Sequence, residues 1–330
     1  MGKTGIRISE LCLGTMTFGG KGSWADIGTV NRATATRMIS ICLNAGVNFF
    51  DTADIYSEGL AEEILGNALG PRRKEVIIAT KVRGRMGKGV NEVGLSRRYI
   101  IRAVEESLIR LGTDWIDLYQ VHCWDANTPL EETLSALDHL VQSGKVRYIG
   151  CSNFGGWQLD RAIMLSRIKG WSKFVTLQAL YNLVNRDIEN ELVPLCLEEG
   201  LGILPWSPLA GGFLTGKYRR EKPRPKFARR SDPDKAFLHI DEEQGFDVIE
   251  ELDKLSSVHN GTVSQGALNW LKAKPNVCSI IIGARTIDQL EENLASINWE
   301  FTEEEISKLD EVSAFKPGYP YFMQKAWENN

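Results

Sequence analysis

The feature that most constrains the fold of this chain is a regular alternation of short apolar runs with stretches typical of amphipathic helices. The runs are rich in apolar and β-branched residues and lie at 11–14, 47–51, 76–81, 116–122, 146–152, 176–181, 202–207 and 277–283. A strand-plus-helix unit recurs roughly every 30–40 residues, the spacing that an eightfold α/β barrel of this length needs. The alternation therefore indicates parallel βα units and predicts a closed barrel.

Cap residues mark several of the helices between these runs. Ser96 is suited to an N-cap, and Gly112 is suited to the left-handed residue that ends the same helix. Pro129 opens the next helix, which ends at residues 143–144, and a helix over 160–169 ends at Gly170. Further helices are predicted at 241–259, 262–274, 288–295 and 302–313. Residues 1–8 predict a short β-hairpin that plugs the bottom of the barrel.

Composition sets limits on the kind of protein. The chain has 330 residues, of which 43% are hydrophobic and 25% charged, so we expect one barrel domain over residues 1–330. A net charge of -4 argues against a nucleic-acid-binding surface. The six cysteines are scattered without metal-binding or redox spacing, which predicts reduced thiols and no metal site. No secretory signal or membrane span is evident, so we expect a cytoplasmic location.

Four chemically reactive residues follow the ends of three predicted strands. Asp51, Lys81 and His122 end their runs, and Tyr56 lies five residues after Asp51. Strand ends in a parallel barrel all meet at one face, so these side chains are expected to converge. An acid, a phenol, an ammonium and an imidazole in one pocket predict a proton-transfer site. The alternative is a structural charge network, and His122 considered alone fits that alternative too.

Eight motifs in this order resemble the aldo-keto reductase superfamily. They are LGTM, FFDTADIYSEGLAEEILGNAL, ATK, LYQVHCWD, GKVRYIGCSNF, QALYNL, PWSPLAGG and IIGARTIDQLEENL. The resemblance runs from the first residues to about residue 313 and is nearest to the aryl-alcohol dehydrogenase and potassium-channel β-subunit branches. It implies a (β/α)8 TIM barrel with an N-terminal hairpin and extra C-terminal helices. It also implies reversible, NADP-dependent reduction of aldehydes or ketones to alcohols.

The resemblance gives each of the four residues a role that suits its chemistry. Tyr56 would donate the proton that a carbonyl oxygen needs after hydride arrives at its carbon. An ordinary phenol has a pKa of about 10, and the neighbouring ammonium of Lys81 would lower it. Asp51 would hold Lys81 in place, and His122 would orient the carbonyl.

A cofactor site is also implied by the resemblance, since the chain lacks the glycine-rich fingerprint of a Rossmann fold. The residues expected to bind the cofactor are Gly14, Thr15, Met16, Asp51, Ser152, Asn153, Gln178, Trp206, Ser207, Pro208, Leu209, Gly211, Gly212, Lys217, Gly283, Ala284, Arg285, Gln289, Glu292 and Asn293. Arg285 suits the 2′-phosphate of NADPH, which is the preferred cofactor. Gly283 and Gln289 stand where many relatives have a basic residue, so NADH stays possible.

The substrate is expected to be an apolar or aromatic aldehyde or ketone rather than a highly charged one, because apolar walls desolvate a charge at a cost. The residues expected to line its pocket are Phe18, Trp24, Tyr56, Met86, His122 and Trp124, with the aromatic tail 315–330 folding back over the barrel. The basic loop 217–234 is either a lid over the cofactor phosphates or a solvated insert. Two other functions stay open: a redox-sensing partner protein that binds NADPH without turnover, and an alcohol dehydrogenase working mainly in the oxidising direction. The sequence predicts no oligomeric state.

Overall fold

Eight parallel strands form the centre of the structure, a computed structural model that describes residues 1–220, 222–225 and 237–328. The strands are β1 Leu11–Gly14, β2 Phe49–Asp51, β3 Ile77–Val82, β4 Ile116–Val121, β5 Val146–Ser152, β6 Phe174–Leu180, β7 Gly202–Trp206 and β8 Ile280–Ile282. Each corresponds to one predicted run. The (β/α)8 TIM-barrel prediction is therefore confirmed.

The strand order closes the barrel at a narrow seam. Hydrogen-bonded neighbours follow the order β7-β6-β5-β4-β3-β2-β1-β8, and every pairing is parallel. Between β7 and β8 the connection is an isolated parallel bridge of Ile203 with Val277. The Ile203 N–H donates to the carbonyl of Asn276 at 2.7 Å, and the Cys278 N–H donates to the carbonyl of Ile203 at 3.0 Å. The seam thus uses residues that precede β8.

Helices surround the barrel and follow the predicted pattern. They are α1 Arg32–Asn44, α2 Leu60–Leu69, α3 Arg97–Leu111, α4 Leu130–Gln142, α5 Gly156–Lys169, α6 Leu192–Glu199, α7 Glu242–Val258, α8 Val263–Lys272, α9 Ile287–Leu294, α10 Glu303–Val312 and α11 Tyr321–Glu328. The Ser96 side chain accepts a hydrogen bond from the Tyr99 N–H at the start of α3, and Gly112 ends that helix with φ 62°. Of these helices, none is long and apolar enough to cross a membrane, a finding restricted to the described residues.

The bottom of the barrel is closed by the N-terminus, but without a hairpin of paired strands. Residues 1–8 form a turn in which the Thr4 hydroxyl donates to the carbonyl of Met1 at 2.6 Å. Met1 is buried against side chains inside the barrel, among them Phe49 and Leu118. The Lys3 N–H donates to the carbonyl of Gly200, which also bonds this segment to the loop before β7. The plug was therefore predicted correctly and its strands were not.

The C-terminal tail contacts a loop at the barrel mouth, the face at the carboxyl ends of the strands. Residues 321–328 form α11, and the Tyr321 hydroxyl donates to Glu191 beside the start of α6. The rings of Tyr319, Phe322 and Trp327 are exposed. The expectation that the aromatic tail folds back over the barrel stays a prediction.

Candidate active site

The four predicted catalytic residues converge at the barrel mouth. Asp51 ends β2, where it pairs in register with Gly14 of β1 and Ala79 of β3. Lys81 lies near the end of β3 opposite Gln120. His122 is the first residue after β4, and its N–H donates to the carbonyl of Val82 at 2.9 Å. Adjacent parallel strands in this register bring side chains that are far apart in sequence into one site.

Tyr56 reaches the site because the chain turns sharply after β2. Tyr56 begins a short helical turn, and the next two residues, Ser57 and Glu58, adopt positive φ angles of 50° and 55°. The Ser57 hydroxyl donates to the carbonyl of Phe18 at 2.7 Å and so fixes this turn against the loop after β1. Two consecutive left-handed residues other than glycine are uncommon, and such conformations cluster at functional sites.

Lys81 is the central residue of the site. Its side chain is fully buried, and its ammonium donates to Asp51 Oδ1 at 2.5 Å, to the carbonyl of Thr52 at 2.7 Å and to the Tyr56 hydroxyl at 3.3 Å. These three acceptors match the three hydrogens of an ammonium group. The side chain is thereby held in one orientation, with one N–H directed at the phenol.

Two glutamines hold the second oxygen of Asp51. Gln178 Nε2 donates to Asp51 Oδ2 at 2.8 Å, and Gln120 Nε2 donates to the same oxygen at 3.2 Å. Gln178 was expected to bind the nicotinamide, so its contact with Asp51 is an additional one. Gln120 was missed by the sequence analysis. The alternation of side chains along a strand could have identified it. Gln120 lies two residues before His122, so both side chains face the same side of β4.

The environment sets the protonation states of Tyr56 and Lys81. Burial raises the pKa of Tyr56 above its ordinary value and outweighs the lowering effect of the Lys81 charge. Burial alone would lower the pKa of Lys81, but the contacts with Asp51 and Tyr56 raise it above its ordinary value. Lys81 therefore acts on the Tyr56 pKa in the expected direction, but burial has the larger effect. The site holds a neutral phenol beside a charged ammonium.

His122 stands at the opening of the site as a neutral imidazole. Burial lowers its pKa to about 3, and the positive charges of Lys81 and Arg83 act in the same direction. Its ring lies edge-on to Tyr56, with centroids 5.8 Å apart. A neutral imidazole offers one N–H donor. Two uncharged donors, the Tyr56 hydroxyl and the His122 ring, therefore lie side by side where a carbonyl oxygen would need them.

The residues predicted to bind the nicotinamide lie at the carboxyl ends of β5, β6 and β7. Ser152 pairs with Gln178 in register, and the Asn153 side chain donates to Ser152 Oγ at 3.0 Å and to the carbonyl of His122 at 2.9 Å. The Trp206 indole N–H donates to Asn153 Oδ1 at 3.2 Å. Asn153 has a φ of 54°, which turns its side chain back across the barrel. Asn153 thus links this group of residues to the backbone of His122.

The segment after β7 has the backbone of an anion cradle. Positive φ angles occur at Ser207 (51°), Ala210 (49°), Gly211 (66°) and Gly212 (92°). Such turns direct successive N–H groups towards one point and bind phosphate-like anions. A Cβ on Gly212 would lie 2.8 Å from the Lys217 ammonium nitrogen, so a cation lies directly beside the turn. The two remaining predicted residues here, Pro208 and Leu209, lie within the same turn.

Arg285 and its neighbours form the predicted adenosine end. Arg285 follows β8. Its backbone N–H donates to Gln289 Oε1 at 2.9 Å, and its guanidinium donates to the carbonyl of Asp26 at 3.3 Å. The Nε atom of Arg285 is buried without a partner. Glu292 is already engaged, since it accepts from the Thr262 hydroxyl at 2.7 Å. An unpartnered guanidinium N–H beside an exposed glycine, Gly283, fits a phosphate group.

The other predicted cofactor residues lie at the same face. Gly14, Thr15 and Met16 end or follow β1, where the Thr15 N–H donates to the carbonyl of Asp51 at 2.9 Å. Ala284 follows β8 and accepts from the Thr17 hydroxyl at 2.9 Å. Asn293 is buried on α9.

The predicted substrate residues divide into three groups. Trp24 packs edge-on against Tyr56 with centroids 5.1 Å apart, and Trp124 packs in the same way against Phe154 at 5.3 Å. Met86 is half-buried on the loop after β3. Phe18 is completely buried in the main core, and its place in the substrate pocket stays a prediction.

The basic loop 217–234 is described only in part. Arg219 pairs with Asp253 at 2.8 Å, Arg220 pairs with Asp247 at 2.6 Å, and Arg224 pairs with Glu242. These described arginines are therefore bound to the acidic face of α7. The other residues of the predicted lid, 221 and 226–234, lie outside the described residues.

A second buried polar cluster lies behind the catalytic residues and was not predicted. Glu62 on α2 accepts from the Thr80 hydroxyl at 2.5 Å and from Arg110 at 2.6 Å. Burial, followed by the negative charge of Glu62, raises the pKa of Asp54 well above its ordinary value. Asp54 Oδ2 and the Tyr119 hydroxyl are buried without a partner. The cluster adjoins the catalytic set through Thr80, the neighbour of Lys81.

A cavity of about 410 Å³ is a separate feature of the structure. It is lined by the loop after β6, by His239 and Ile240, and by Phe315. None of the four catalytic residues contributes to its lining.

Comparisons with known proteins agree with this geometry. The model of the aldo/keto reductase family matches residues 10–314. The chain is 34% identical to "Versiconal hemiacetal acetate reductase" of Aspergillus parasiticus, over 97% of this chain and 98% of the relative. It is 38% identical to "Uncharacterized oxidoreductase YrpG" of Bacillus subtilis (strain 168), over 94% of both chains. It is 34% identical to "Probable voltage-gated potassium channel subunit beta" of Oryza sativa subsp. japonica, over 96% of both chains. With four converging strand-end residues and a family match over almost its whole length, the chain belongs to the aldo/keto reductase family of oxidoreductases.

Proposed function

We propose that this protein reduces aldehydes or ketones to alcohols with NADPH. The observation that carries the proposal is the contact of the buried Lys81 ammonium with the Tyr56 hydroxyl at 3.3 Å. An ammonium beside a neutral phenol stabilises the phenolate that remains after proton transfer. The family match and the reductase named among the relatives support carbonyl reduction.

The proposed mechanism assigns one task to each side chain. Tyr56 donates its proton to the carbonyl oxygen, and the resulting phenolate is stabilised by Lys81. Asp51 keeps Lys81 charged and in position through the 2.5 Å contact. The neutral His122 donates a hydrogen bond to the same carbonyl oxygen and fixes its direction. Trp24, packed against Tyr56, restricts the access of water.

The residues present fit a nicotinamide dinucleotide. A bound reduced nicotinamide supplies the hydride that the carbonyl carbon receives. Trp206 and Asn153 would hold its ring, and the turn over residues 207–212 with Lys217 would hold its pyrophosphate. Arg285, with its unpartnered Nε, would bind a 2′-phosphate, which favours NADPH over NADH.

The test is a steady-state assay of NADPH consumption with 4-nitrobenzaldehyde, run beside NADH and beside Tyr56→Phe. We expect turnover with NADPH that depends on Tyr56. The product alcohol is quantified separately, since NADPH oxidation without alcohol formation would indicate a side reaction and contradict the proposal.

A second function is favoured by the resemblance to the relative named as a potassium channel β-subunit. In this alternative the protein binds NADPH and acts through a partner. It is distinguished by tight NADPH binding, measured by fluorescence quenching of Trp206 and its neighbours, without turnover of any tested carbonyl compound. A third outcome, faster oxidation of benzyl alcohols than reduction of aldehydes at equal saturation, would indicate a dehydrogenase that works mainly in the oxidising direction.

A further inference from the structure

Arg83 lies beside the catalytic residues and has no task in the proposed mechanism. It is the first residue after β3 and follows Lys81 by two positions. Its φ angle of 137° is unusual for a residue other than glycine, and its carbonyl accepts from the Gly94 N–H at 3.0 Å. Such a backbone conformation costs free energy and is retained where the surroundings fix it. The turn therefore fixes the direction in which the Arg83 side chain leaves the strand end.

The guanidinium of Arg83 lies close enough to His122 for its charge to act on the imidazole. Its Nε donates to the carbonyl of Trp124 at 3.2 Å, so the side chain bridges from β3 to the loop after β4 and passes His122. The charge of Arg83 contributes to lowering the pKa of His122, which agrees with this proximity. The Trp124 ring packs against Phe154 and Trp157. Arg83 is thus bonded to the loop that carries Trp124 and acts electrostatically on His122.

The positive charge of Arg83 is not paired. The side chain is half-buried, and no carboxylate of the described residues lies within ion-pair distance of it. Asp125 makes its hydrogen bonds elsewhere, with the Leu95 N–H at 2.9 Å, the Asn127 N–H at 3.0 Å and the Thr128 hydroxyl at 2.8 Å, although the charge of Arg83 also acts on this carboxylate. The other buried cation of the site, Lys81, is neutralised by Asp51. A partly desolvated guanidinium without a counter-ion favours the binding of an anion.

We propose that Arg83 binds a carboxylate of the substrate, so that the preferred substrates are aromatic aldehydes or ketones that carry a carboxylate group. This inference rests on the proposed carbonyl reduction and adds the substrate class. The aromatic ring packs beside Trp124, the carbonyl group meets Tyr56 and His122, and the carboxylate pairs with the terminal nitrogens of Arg83. Arg83 then determines specificity by a charge-assisted hydrogen bond that a neutral substrate does not make.

The test compares 4-carboxybenzaldehyde with 4-nitrobenzaldehyde in the wild type, Arg83→Met, Arg83→Lys and Lys88→Met. Lys88 is an exposed cation of the same loop, five residues after Arg83. Its replacement therefore removes one positive charge from this loop without changing Arg83. We expect Arg83→Met to lower kcat/KM for the carboxylate substrate roughly 10- to 100-fold, the range of one charge-assisted hydrogen bond, with little change for the nitro substrate. Arg83→Lys should keep part of the preference, and Lys88→Met should keep all of it.

Three outcomes would overturn the inference. One is a wild type that does not prefer the carboxylate substrate. Another is an equal loss on both substrates in Arg83→Met, which would make Arg83 a support for His122 and Trp124. The third is an equal loss in Lys88→Met, which would indicate a general field of positive charge.

A binding measurement separates this inference from the proposed function. Benzoate is titrated calorimetrically into the wild type and into Arg83→Met, each saturated with NADP. Binding to the wild type and not to the variant would support the carboxylate site even if no aldehyde is turned over, in which case the proposed reduction alone would fail. Equal binding to both proteins, or none to either, contradicts the carboxylate site.

Discussion

The Lys81 ammonium contacts Tyr56 in two ways: it lies 3.3 Å from the hydroxyl oxygen and 4.9 Å from the centroid of the same ring. The first contact stabilises the phenolate, and the second is a cation–π contact with the neutral phenol. The ammonium therefore interacts favourably with the tyrosine both before and after proton transfer. Little rearrangement of Lys81 is needed during the reaction.

Replacing Tyr56 by phenylalanine should abolish most of the activity and leave the fold intact. The ring and its contacts with Trp24 and Lys81 stay, while the proton donor is lost, so we expect kcat to fall roughly 10²- to 10⁴-fold. NADPH binding should be unchanged. Tyr119→Phe is the matched control, because its hydroxyl is buried without a partner and its removal should cost neither activity nor stability. Near-normal turnover in Tyr56→Phe would show that another group donates the proton.

Removing one partner of the Asp51–Lys81 pair should destabilise the protein more than removing both. Both side chains are buried, so Asp51→Asn leaves an uncompensated ammonium, and we expect a loss of about 3–5 kcal/mol in the free energy of unfolding. The double variant Asp51→Asn with Lys81→Met should recover part of that loss. Urea denaturation of the wild type, both single variants and the double variant measures these values, and additive effects of the two replacements would contradict the coupling.

Asp54→Asn should stabilise the protein increasingly as the pH rises. The pKa of Asp54 is raised in the folded chain by burial and by Glu62, so the folded state keeps its proton to a higher pH than the unfolded state does. The free energy of unfolding of the wild type therefore falls as the pH rises above the ordinary aspartate value, and the asparagine variant lacks this loss. Urea denaturation between about pH 5 and 8 measures the difference. A variant that is equally destabilised at every pH would mean that Asp54 is charged in the folded protein.

His122 should contribute the opposite pH dependence. Its pKa is lowered to about 3 by burial and by Lys81 and Arg83, so between the ordinary value of 6.5 and about 3 the unfolded chain binds the extra proton. Stability is therefore lost as the pH falls through this range, and His122→Gln should lose less. His139 on α4, replaced in the same way, serves as the comparison for a histidine remote from the site.

Arg285→Ala should weaken NADPH binding by roughly 1.5–3 kcal/mol and leave NADH binding nearly unchanged, because only NADPH offers a 2′-phosphate to the guanidinium. Fluorescence titration with both cofactors measures this difference. Arg98→Ala removes an exposed arginine of α3 and controls for the change in net charge. An equal loss for the two cofactors would show that Arg285 does not contact the 2′-phosphate.

The strands and catalytic residues were predictable because their signals are local. Apolar runs ending on Asp51, Lys81 and His122 correspond to β2, β3 and β4. Boundaries were less predictable where tertiary contacts intervene. Strand β2 begins two residues later than expected because Asn48 exchanges hydrogen bonds with Ser9. Strand β8 begins at Ile280, three residues late, because Val277 bridges to β7 instead.

Helix α5 shows another limit of local signals. It begins at Gly156, four residues before the predicted start, and no serine, threonine or aspartate caps it. The Gln158 side chain instead accepts from the Gly155 N–H at 2.8 Å. The burial of Phe18 and the raised pKa of Tyr56 were also missed, because both depend on how much protein surrounds the side chain and not on its neighbours in sequence.

The seam between β7 and β8 suggests that a bound dinucleotide would also stabilise the barrel. The residues expected to bind its pyrophosphate follow β7, and those expected to bind its adenosine end follow β8, while the strands themselves are joined through the single bridge of Ile203 with Val277. A dinucleotide bound to both segments would connect β7 and β8 across the part of the barrel that has the fewest strand-to-strand hydrogen bonds. Occupancy would then raise the resistance of this joint to opening, so amide hydrogen exchange at β7 and β8 would report the loading of the enzyme.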